Sequence, residues 1–248
     1  MCDSEVTLTA KRIEFSFLTR SNGHKKNPPD IGPLDITLRK GEKTVLIGAS
    51  GSGKSTTLKL LAGLLSPTNG DITFNNMDLT KLSERRKAAI RRTDFAFIFQ
   101  DYMLIENLTV SENIALPTLL NSGVYTQDNV VDAMSKVNLD SSLLNKPVFK
   151  LSGGQKQRVA ISRSLMTQAN VLFADEPTGN LDPRARNETL DAIDSAMKYN
   201  LQSCLMVTHD PIVAARADRV LFMKDGKIRK QYAKLTADEV NDILLGNQ

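Results

Sequence analysis

The chain has 248 residues, 41% hydrophobic and 24% charged, and its 32 basic residues exceed its 28 acidic residues to give a net charge of +4. This composition excludes disordered, collagen-like and coiled-coil proteins and favours one compact unit with subdomains. The small positive charge does not by itself indicate nucleic-acid binding, although it suits a polyanionic ligand.

Cysteine usage and hydropathy indicate a protein of the reducing cytosol. No apolar run reaches the roughly 18 to 20 residues of a membrane helix, and Asp3 and Glu5 stand where a signal peptide would be basic and then apolar. Cys2 and Cys204 are the two cysteines, and they form no CxxC pair. We therefore expect no zinc site, and we expect Cys204 to be a small buried hydrophobe.

The first part of the sequence predicts three strands. Apolar and polar residues alternate from Val6 to Phe17, which is typical of a half-buried strand, and an exposed polar loop follows from Ser21 to Pro29. A second strand is predicted from Ile31 to Leu38. The continuously apolar run Thr44 to Ile47 predicts a third strand, buried on both faces.

Short apolar runs rich in β-forming residues recur along the rest of the chain. They are Phe95 to Phe99, Val171 to Ala174, Leu205 to Val207 and Val220 to Met223. Helical segments separate them, which predicts a mainly parallel sheet between layers of helices.

The middle of the chain predicts helices and no strand. Amphipathic patterns cover Val110 to Leu120, Asp128 to Val137 and Gln155 to Leu165. We therefore expect an all-helical subdomain over 100–167, inserted into an α/β core made of 1–99 and 168–248.

A glycine-rich segment follows the strand Thr44 to Ile47 and matches the phosphate-binding P-loop at every fixed position. The segment, called the P-loop below, is Gly48-Ala49-Ser50-Gly51-Ser52-Gly53-Lys54-Ser55-Thr56. Its glycines let backbone N–H groups point at phosphates, and the helix that opens near Lys54 adds the positive end of its dipole. Lys54 is expected to bridge the β- and γ-phosphates, and the Ser55 hydroxyl to bind Mg²⁺.

An acidic pair ends the apolar run Val171 to Ala174. Ligands bind at the carboxyl ends of strands in open α/β sheets, so this pair is placed for chemistry. Asp175 is predicted to hold Mg²⁺ and Glu176 to accept a proton from the attacking water. The structural alternative is an acidic pair that caps a helix.

A second glycine-containing segment opens the predicted helix at Gln155. This signature segment is Leu151-Ser152-Gly153-Gly154-Gln155. It predicts either an ordinary Ser N-cap with glycine spacers or a second phosphate site at a helix N-terminus. Two phosphate sites separated by a helical subdomain do not fit one nucleotide easily, which favours two chains arranged head to tail around shared ATP.

With these segments in this order, the chain resembles the nucleotide-binding subunit of an ABC transporter over essentially its whole length. Gln100, Leu181-Asp182 and His209 also occur in family order. The tracts Glu112 to Pro117 and Glu176 to Asp182 resemble the branch for lipoprotein release, macrolide export and antimicrobial-peptide resistance.

The resemblance implies roles for further residues. Gln100 would touch Mg²⁺ and the attacking water, Asp182 would reach across the dimer, and His209 would contact the γ-phosphate and hold Glu176. The family usually stacks adenine on a tyrosine near the end of the first strand, and here Phe17, or else Phe15, occupies that place. Asn76 stands in a turn where the family commonly has glycine, and asparagine tolerates a left-handed backbone.

The family also implies a fold and partners. The fold would be an ABC-type α/β P-loop NTPase with a mainly parallel sheet, an antiparallel β subdomain and the helical insertion. The subunit would be a Mg²⁺-dependent ATPase on the cytoplasmic face of the membrane, forming a homodimer or pairing with a homologous subunit. It would bind no nucleic acid and would drive a separate transmembrane permease that docks near Tyr102 to Leu108.

Several alternatives stay open at the level of sequence. The segment Tyr102 to Leu108, called the docking loop below, could instead be ordinary core. The basic helical stretch Lys81 to Arg92 predicts a solvated face or proximity to lipid headgroups. Two other functions compete with transport: a soluble ABC-type ATPase that acts on nucleic acid or ribosomes, and a scaffold that regulates a cell-envelope partner. The sequence does not indicate the transported substrate, because the partner selects it.

Overall fold

The computed structural model describes residues 5–17, 28–121, 123–179, 181–200 and 202–246. The chain divides into two compact units, Met1–Lys87 with Leu205–Gln248 and Ala88–Cys204. The predicted loop Ser21 to Pro29 lies mostly outside the described residues. That residues 100–167 form a separate helical subdomain stays a prediction.

Strands and helices alternate along most of the chain. The strands are β1 (Val6–Phe15), β2 (Ile31–Arg39), β3 (Lys43–Ile47), β4 (Asn69–Phe74), β5 (Met77–Asp78), β6 (Phe95–Phe99), β7 (Val171–Asp175), β8 (Ser203–Thr208), β9 (Arg219–Lys224) and β10 (Lys227–Tyr232). The helices are α1 (Lys54–Leu61), α2 (Glu84–Thr93), α3 (Val110–Leu120), α4 (Gln127–Lys136), α5 (Gly153–Leu165), α6 (Pro183–Asn200), α7 (Pro211–Ala214) and α8 (Ala237–Leu245).

The first unit contains an antiparallel sheet with the strand order β2-β1-β4-β5. Many apolar residues of its two longest strands are buried, among them Leu8, Ala10, Ile13, Leu34, Ile36 and Leu38. Asn75 and Asn76 join β4 to β5 with φ values of +45° and +64°. The expectation that asparagine adopts a left-handed backbone in this turn is confirmed.

The first unit also carries the strand that leads into the P-loop. All five residues of β3 are buried, as its continuous apolar character predicts. β3 pairs in parallel with β9, and β9 pairs in antiparallel with β10. The parallel pairing fits the sequence prediction, whereas β10, with four exposed residues in the run Lys227–Tyr232, was not predicted.

The second unit combines a parallel strand pair with helices. β6 and β7 pair in register from Phe95 opposite Val171 to Phe99 opposite Asp175. Helices α3, α4 and α6 pack against α5. The helices predicted in this region are confirmed, although α5 begins two residues earlier than predicted because Gly153 and Gly154 form its first turn after the Ser152 cap.

Two sequence expectations concern particular segments. The basic stretch predicted as one helix from Lys81 to Arg92 is helical only from Glu84, since Asp78 caps a separate 3₁₀ turn over Leu79–Lys81. Cys204 is buried in β8, as predicted. Among the described residues, no helix has the length and apolar character needed to span a bilayer.

Candidate functional site

The P-loop connects β3 to α1 through a backbone that needs glycine. Gly51 and Gly53 have φ values of +77° and +100°, and Gly53 immediately precedes α1. Such left-handed conformations are costly for residues that carry a Cβ. The glycines therefore fold the loop so that α1 begins directly at Lys54.

Space around the P-loop is as restricted as its backbone. A Cβ on Gly48 would lie 2.1 Å from the carbonyl oxygen of Met223, and one on Gly53 would lie 2.2 Å from Cδ1 of Ile31. Real side chains essentially never approach so closely. At Gly48 the obstacle is backbone, so only glycine fits there. At Gly53 the obstacle is the end of a side chain, and the left-handed φ is the stronger reason for glycine.

The buried ammonium group of Lys54 is held by the P-loop itself. Its Nζ donates hydrogen bonds to the carbonyl oxygens of Gly48 at 2.8 Å and Ala49 at 2.9 Å. The positive charge therefore lies at the loop that would bind phosphates. Ser55, the predicted Mg²⁺ ligand, is half-buried one residue further along α1.

A buried hydroxyl in the P-loop has no hydrogen-bond partner within the described part of the chain. It is Oγ of Ser52, the residue between the two left-handed glycines. Leaving a buried polar group unsatisfied is unfavourable, so the hydroxyl is ready to bind a polar ligand.

One cavity of about 660 Å³ brings the P-loop and His209 together in the first unit. It is lined by residues 48–52, His209, parts of β9 and β10, and the end of α8. Lys224, Arg229 and Lys230 also line it, with Asp225 as an acidic member. The surroundings are therefore mainly positive, which favours an anionic ligand.

Phe17 presents an accessible aromatic ring at the end of β1. Its side chain is 65% exposed, whereas Phe15 is half-buried. The two rings meet edge to face with centroids 5.0 Å apart, and the Phe17 N–H donates to Oδ2 of Asp30 at 2.8 Å. The exposed ring favours Phe17 over Phe15 as the surface for adenine stacking.

In the second unit, Gln100 and Glu176 leave paired strands at the same edge. They directly follow Phe99 and Asp175, which lie opposite each other in the parallel pair. A Cβ on Gly179 would lie 3.3 Å from Nε2 of Gln100. Gln100, which is predicted to contact Mg²⁺, therefore lies next to the loop that follows the acidic pair.

Glu176 has an uncommon backbone conformation. Its φ is +45°, a left-handed value that few residues with a Cβ adopt, and such strain is concentrated at functional sites. Its half-buried side chain adjoins Asp175, which ends β7. The catalytic role of Glu176 stays a prediction, which this backbone conformation supports.

The signature segment forms a reciprocal cap at the start of α5. Oγ of Ser152 accepts the N–H of Gln155 at 3.3 Å, and Oε1 of Gln155 accepts the N–H of Ser152 at 3.0 Å. In the single chain, the Ser152 side chain is therefore an ordinary N-cap, as one of the two interpretations of this segment predicts. Ser152 and Gly153 remain exposed at the helix N-terminus.

Asp182 and the signature segment line one cavity of about 500 Å³ in the second unit. Asp182 caps α6 by accepting the backbone N–H groups of Arg184 and Ala185, each at 3.0 Å. The hydrogen bond from Ala185 lowers the pKa of Asp182 below its ordinary value. The signature segment and Asp182, both predicted to act across a dimer, therefore lie beside the same cavity.

The docking loop exposes two of its apolar side chains, whereas Tyr102, Leu104 and Leu108 are half-buried. Met103 is 57% and Ile105 is 45% exposed. The fully buried Asn113 holds this segment, since its Oδ1 accepts the N–H of Ile105 at 2.8 Å and its Nδ2 donates to the same residue's carbonyl at 3.0 Å. Apolar side chains on a fixed backbone fit a docking surface better than core.

Arg163 of α5 fixes the first residues of the docking loop. Its guanidinium donates to the carbonyl oxygens of Tyr102 at 2.9 Å and Met103 at 2.6 Å. Both residues have left-handed φ values, +60° and +47°. Burial lowers the pKa of Arg163, and a Cβ on Gly153 would lie 3.1 Å from the Tyr102 hydroxyl. The docking loop therefore lies along the helix that carries the signature segment.

The predicted metal ligands are an appropriate donor set. A hydroxyl, an amide oxygen and a carboxylate, from Ser55, Gln100 and Asp175, are the hard oxygen donors that Mg²⁺ prefers beside substrate phosphates and water. Within the described ranges there is no group of three or more His, Cys, Asp or Glu residues arranged to hold a metal. The donor chemistry of Ser55, Gln100 and Asp175 therefore fits Mg²⁺.

Comparison with known proteins identifies one family. The family model for ABC transporters matches residues 31–179. The ABC transporter ATP-binding protein YxdL of Bacillus subtilis is 35% identical over 242 residues, which are 95% of this chain and 94% of that protein. The lipoprotein-releasing system ATP-binding protein LolD of Psychrobacter arcticus is 39% identical over 196 residues, 78% of this chain and 86% of that protein.

A solved structure has the same fold. It is the dimeric post-hydrolysis state of the ATP-binding cassette MJ0796 bound to ADP and Pi, with a TM-score of 0.81 and 27% sequence identity, covering 91% of this chain and 98% of that chain. The fold, the P-loop and the signature segment agree with these similarities. The chain therefore belongs to the ABC transporter family, as one of its ATP-binding proteins.

Proposed function

We propose that this chain hydrolyses ATP as the nucleotide-binding subunit of an ABC transporter and acts on a separate transmembrane partner. The observation that carries the proposal is the P-loop, where Gly48 has no room for a side chain, Gly51 and Gly53 adopt left-handed φ values, and Lys54 is held at the loop carbonyls. Similarity to ABC ATP-binding proteins over 95% of the chain supports the same function.

The residues divide the chemistry between them. The P-loop N–H groups and Lys54 would bind the triphosphate, and Ser55, Asp175 and Gln100 would hold Mg²⁺. Bound Mg²⁺ would neutralise charge on the β- and γ-phosphates. Water attacks the γ-phosphorus, the bond to the β-phosphate oxygen breaks, ADP leaves, and Glu176 takes the proton from water.

The acidic pair gives the first test. Glu176→Gln removes the proton acceptor without changing side-chain size. The rate of ATP hydrolysis should therefore fall about 10²- to 10⁴-fold while ATP binding is kept. Steady-state ATPase and calorimetric ATP binding are measured on one preparation. The matched control is Glu112→Gln, which keeps the capping box at Thr109 and should hydrolyse ATP normally. Normal turnover by Glu176→Gln would refute the role.

We infer further that two copies, or this chain and a homologous subunit, bind ATP between them. The signature segment and Asp182 line one cavity of the second unit, where the nucleotide of a second chain would bind. MJ0796, a similar cassette, is dimeric. Each P-loop would then face the signature segment of its partner, head to tail.

The transmembrane partner would dock at the docking loop, whose Met103 and Ile105 are exposed. This contact would place the subunit peripherally at the cytoplasmic face of the membrane. Similarity to LolD, named for lipoprotein release, favours an exporter or a lipoprotein- or peptide-handling system. The partner's identity would then decide what is moved.

A further inference from the structure

Asp30 joins the exposed ring of Phe17 to the start of β2. The Asp30 carboxylate accepts the Phe17 N–H at 2.8 Å, and Asp30 immediately precedes β2. A hydrogen bond to a charged acceptor is stronger than one between neutral groups. The backbone that carries the ring is therefore fixed on one side by Asp30 and on the other by the end of β1.

The backbone of Asp30 is itself locked against the turn between β9 and β10. A Cβ on Gly226 would lie 2.1 Å from the carbonyl oxygen of Asp30, and Gly226 has a φ of +70°. The Gly32 N–H also donates to the carbonyl oxygen of Gly226 at 2.8 Å. Only a glycine turn can approach the start of β2 so closely.

The same turn supports the P-loop from behind. The N–H of Gly226 donates to the carbonyl oxygen of Ser52 at 3.1 Å. Met223 of β9 places its carbonyl oxygen against Gly48, and its sulfur accepts the Thr57 hydroxyl at 3.7 Å. A continuous series of contacts thus runs from Phe17 through Asp30 and Gly226 to the P-loop, all within the first unit.

We propose that Asp30 is a positioning residue for the nucleotide, which fixes the Phe17 ring relative to the P-loop. The inference rests on the proposed function, because Phe17 stacks a base only if the P-loop holds a nucleotide. Base and triphosphate are joined covalently in ATP, so binding both at once requires the ring and the loop to keep a set separation. Asp30 supplies that constraint through its side chain toward the ring and its backbone toward the loop.

The test compares ATP with inorganic tripolyphosphate, which has no base. Asp30→Ala should weaken ATP binding about five- to tenfold, the lower part of the range for one stacked base, and leave tripolyphosphate binding unchanged. Asp30→Asn retains an acceptor oxygen and should bind ATP within about twofold of wild type. Isothermal titration calorimetry with Mg²⁺ measures both ligands.

A matched control is available in the same sheet. The Asp35 carboxylate accepts the N–H of Arg12 at 2.9 Å, so Asp35→Ala removes the same kind of hydrogen bond away from the ring. It should leave the affinity for ATP and for tripolyphosphate unchanged. In a Phe17→Ala background, Asp30→Ala should cause no further loss of ATP affinity, because coupled residues are non-additive.

The outcomes separate the inference from the proposed function. If Asp30→Ala binds ATP with wild-type affinity, Asp30 has no positioning role. If its affinities for ATP and for tripolyphosphate fall equally, Asp30 has a structural role and not a positioning role. Full additivity with Phe17→Ala would also overturn the inference. If the wild-type chain binds neither ligand, the proposed function itself fails.

Discussion

The contact between the P-loop and β9 predicts a specific effect of Gly48→Ala. The new Cβ would lie 2.1 Å from the Met223 carbonyl oxygen, whereas ordinary contact begins at 3.4 Å, so one of them must move by about 1.3 Å. The obstacle is backbone in a paired strand, which cannot rotate away. Overpacking of this kind costs typically about 1 to 3 kcal/mol, and a backbone obstacle favours the upper part of that range.

Thermal melting and ATP titration measure the two consequences. For a chain of this size, each kcal/mol lowers the melting temperature by about 2 to 4 °C, so Gly48→Ala should melt roughly 6 to 12 °C lower. The loop would also be displaced, so ATP binding should weaken by more than about tenfold.

Gly41→Ala provides the control for this prediction. Gly41 lies in the turn before β3 with φ +71° and no atom within 4 Å of its Cβ position. Its substitution costs only conformational strain, about 1 to 2 kcal/mol, and should leave ATP binding unchanged. If Gly48→Ala melts like Gly41→Ala and binds ATP normally, the steric argument for the P-loop is wrong.

Two further predictions concern partners. In Glu176→Gln protein, Mg·ATP should produce a dimer that light scattering detects. Adding Ser152→Arg should abolish the dimer, because it places a bulky charge where the partner's phosphate would lie. A dimer that persists in the double mutant would refute the head-to-tail arrangement. Ile105→Asp should end co-purification with the membrane subunit while ATP binding is kept, and its melting temperature should shift by no more than roughly 2 °C because the side chain is exposed. A large loss of stability would show that this residue is core.

Elements buried on both faces are the ones that the sequence predicts best. β3 and β7 are continuous apolar runs that are almost fully buried, and their observed bounds match the prediction within one residue. β10 was missed because an exposed edge strand with charges has no apolar pattern. α6 was predicted only as a helical segment between two strands, without bounds, although Asp182 and Pro183 form a recognisable helix start.

The sequence offers candidate site residues because each motif is local in sequence, whereas the residues that support them in the fold leave no such pattern. Asp30 lies 13 residues from Phe17, and Arg163 lies 61 residues from Tyr102. Neither pairing leaves a local pattern, since the folded chain alone brings them together. The left-handed backbone of Glu176 is equally hidden, because glutamate has no preference for that conformation.

The reciprocal cap of the signature segment means that its polar side chains are ordered before any partner arrives. The Ser152 oxygen accepts one hydrogen bond from Gln155, and its own O–H proton remains available for donation. Holding a side chain in its bound rotamer in advance removes an entropic cost of association, about 0.5 to 1.5 kcal/mol for a flexible side chain such as glutamine. In the proposed head-to-tail pair, this order in the separate chain would lower the entropic cost of closure, and Ser152→Ala would remove the cap and the donor together.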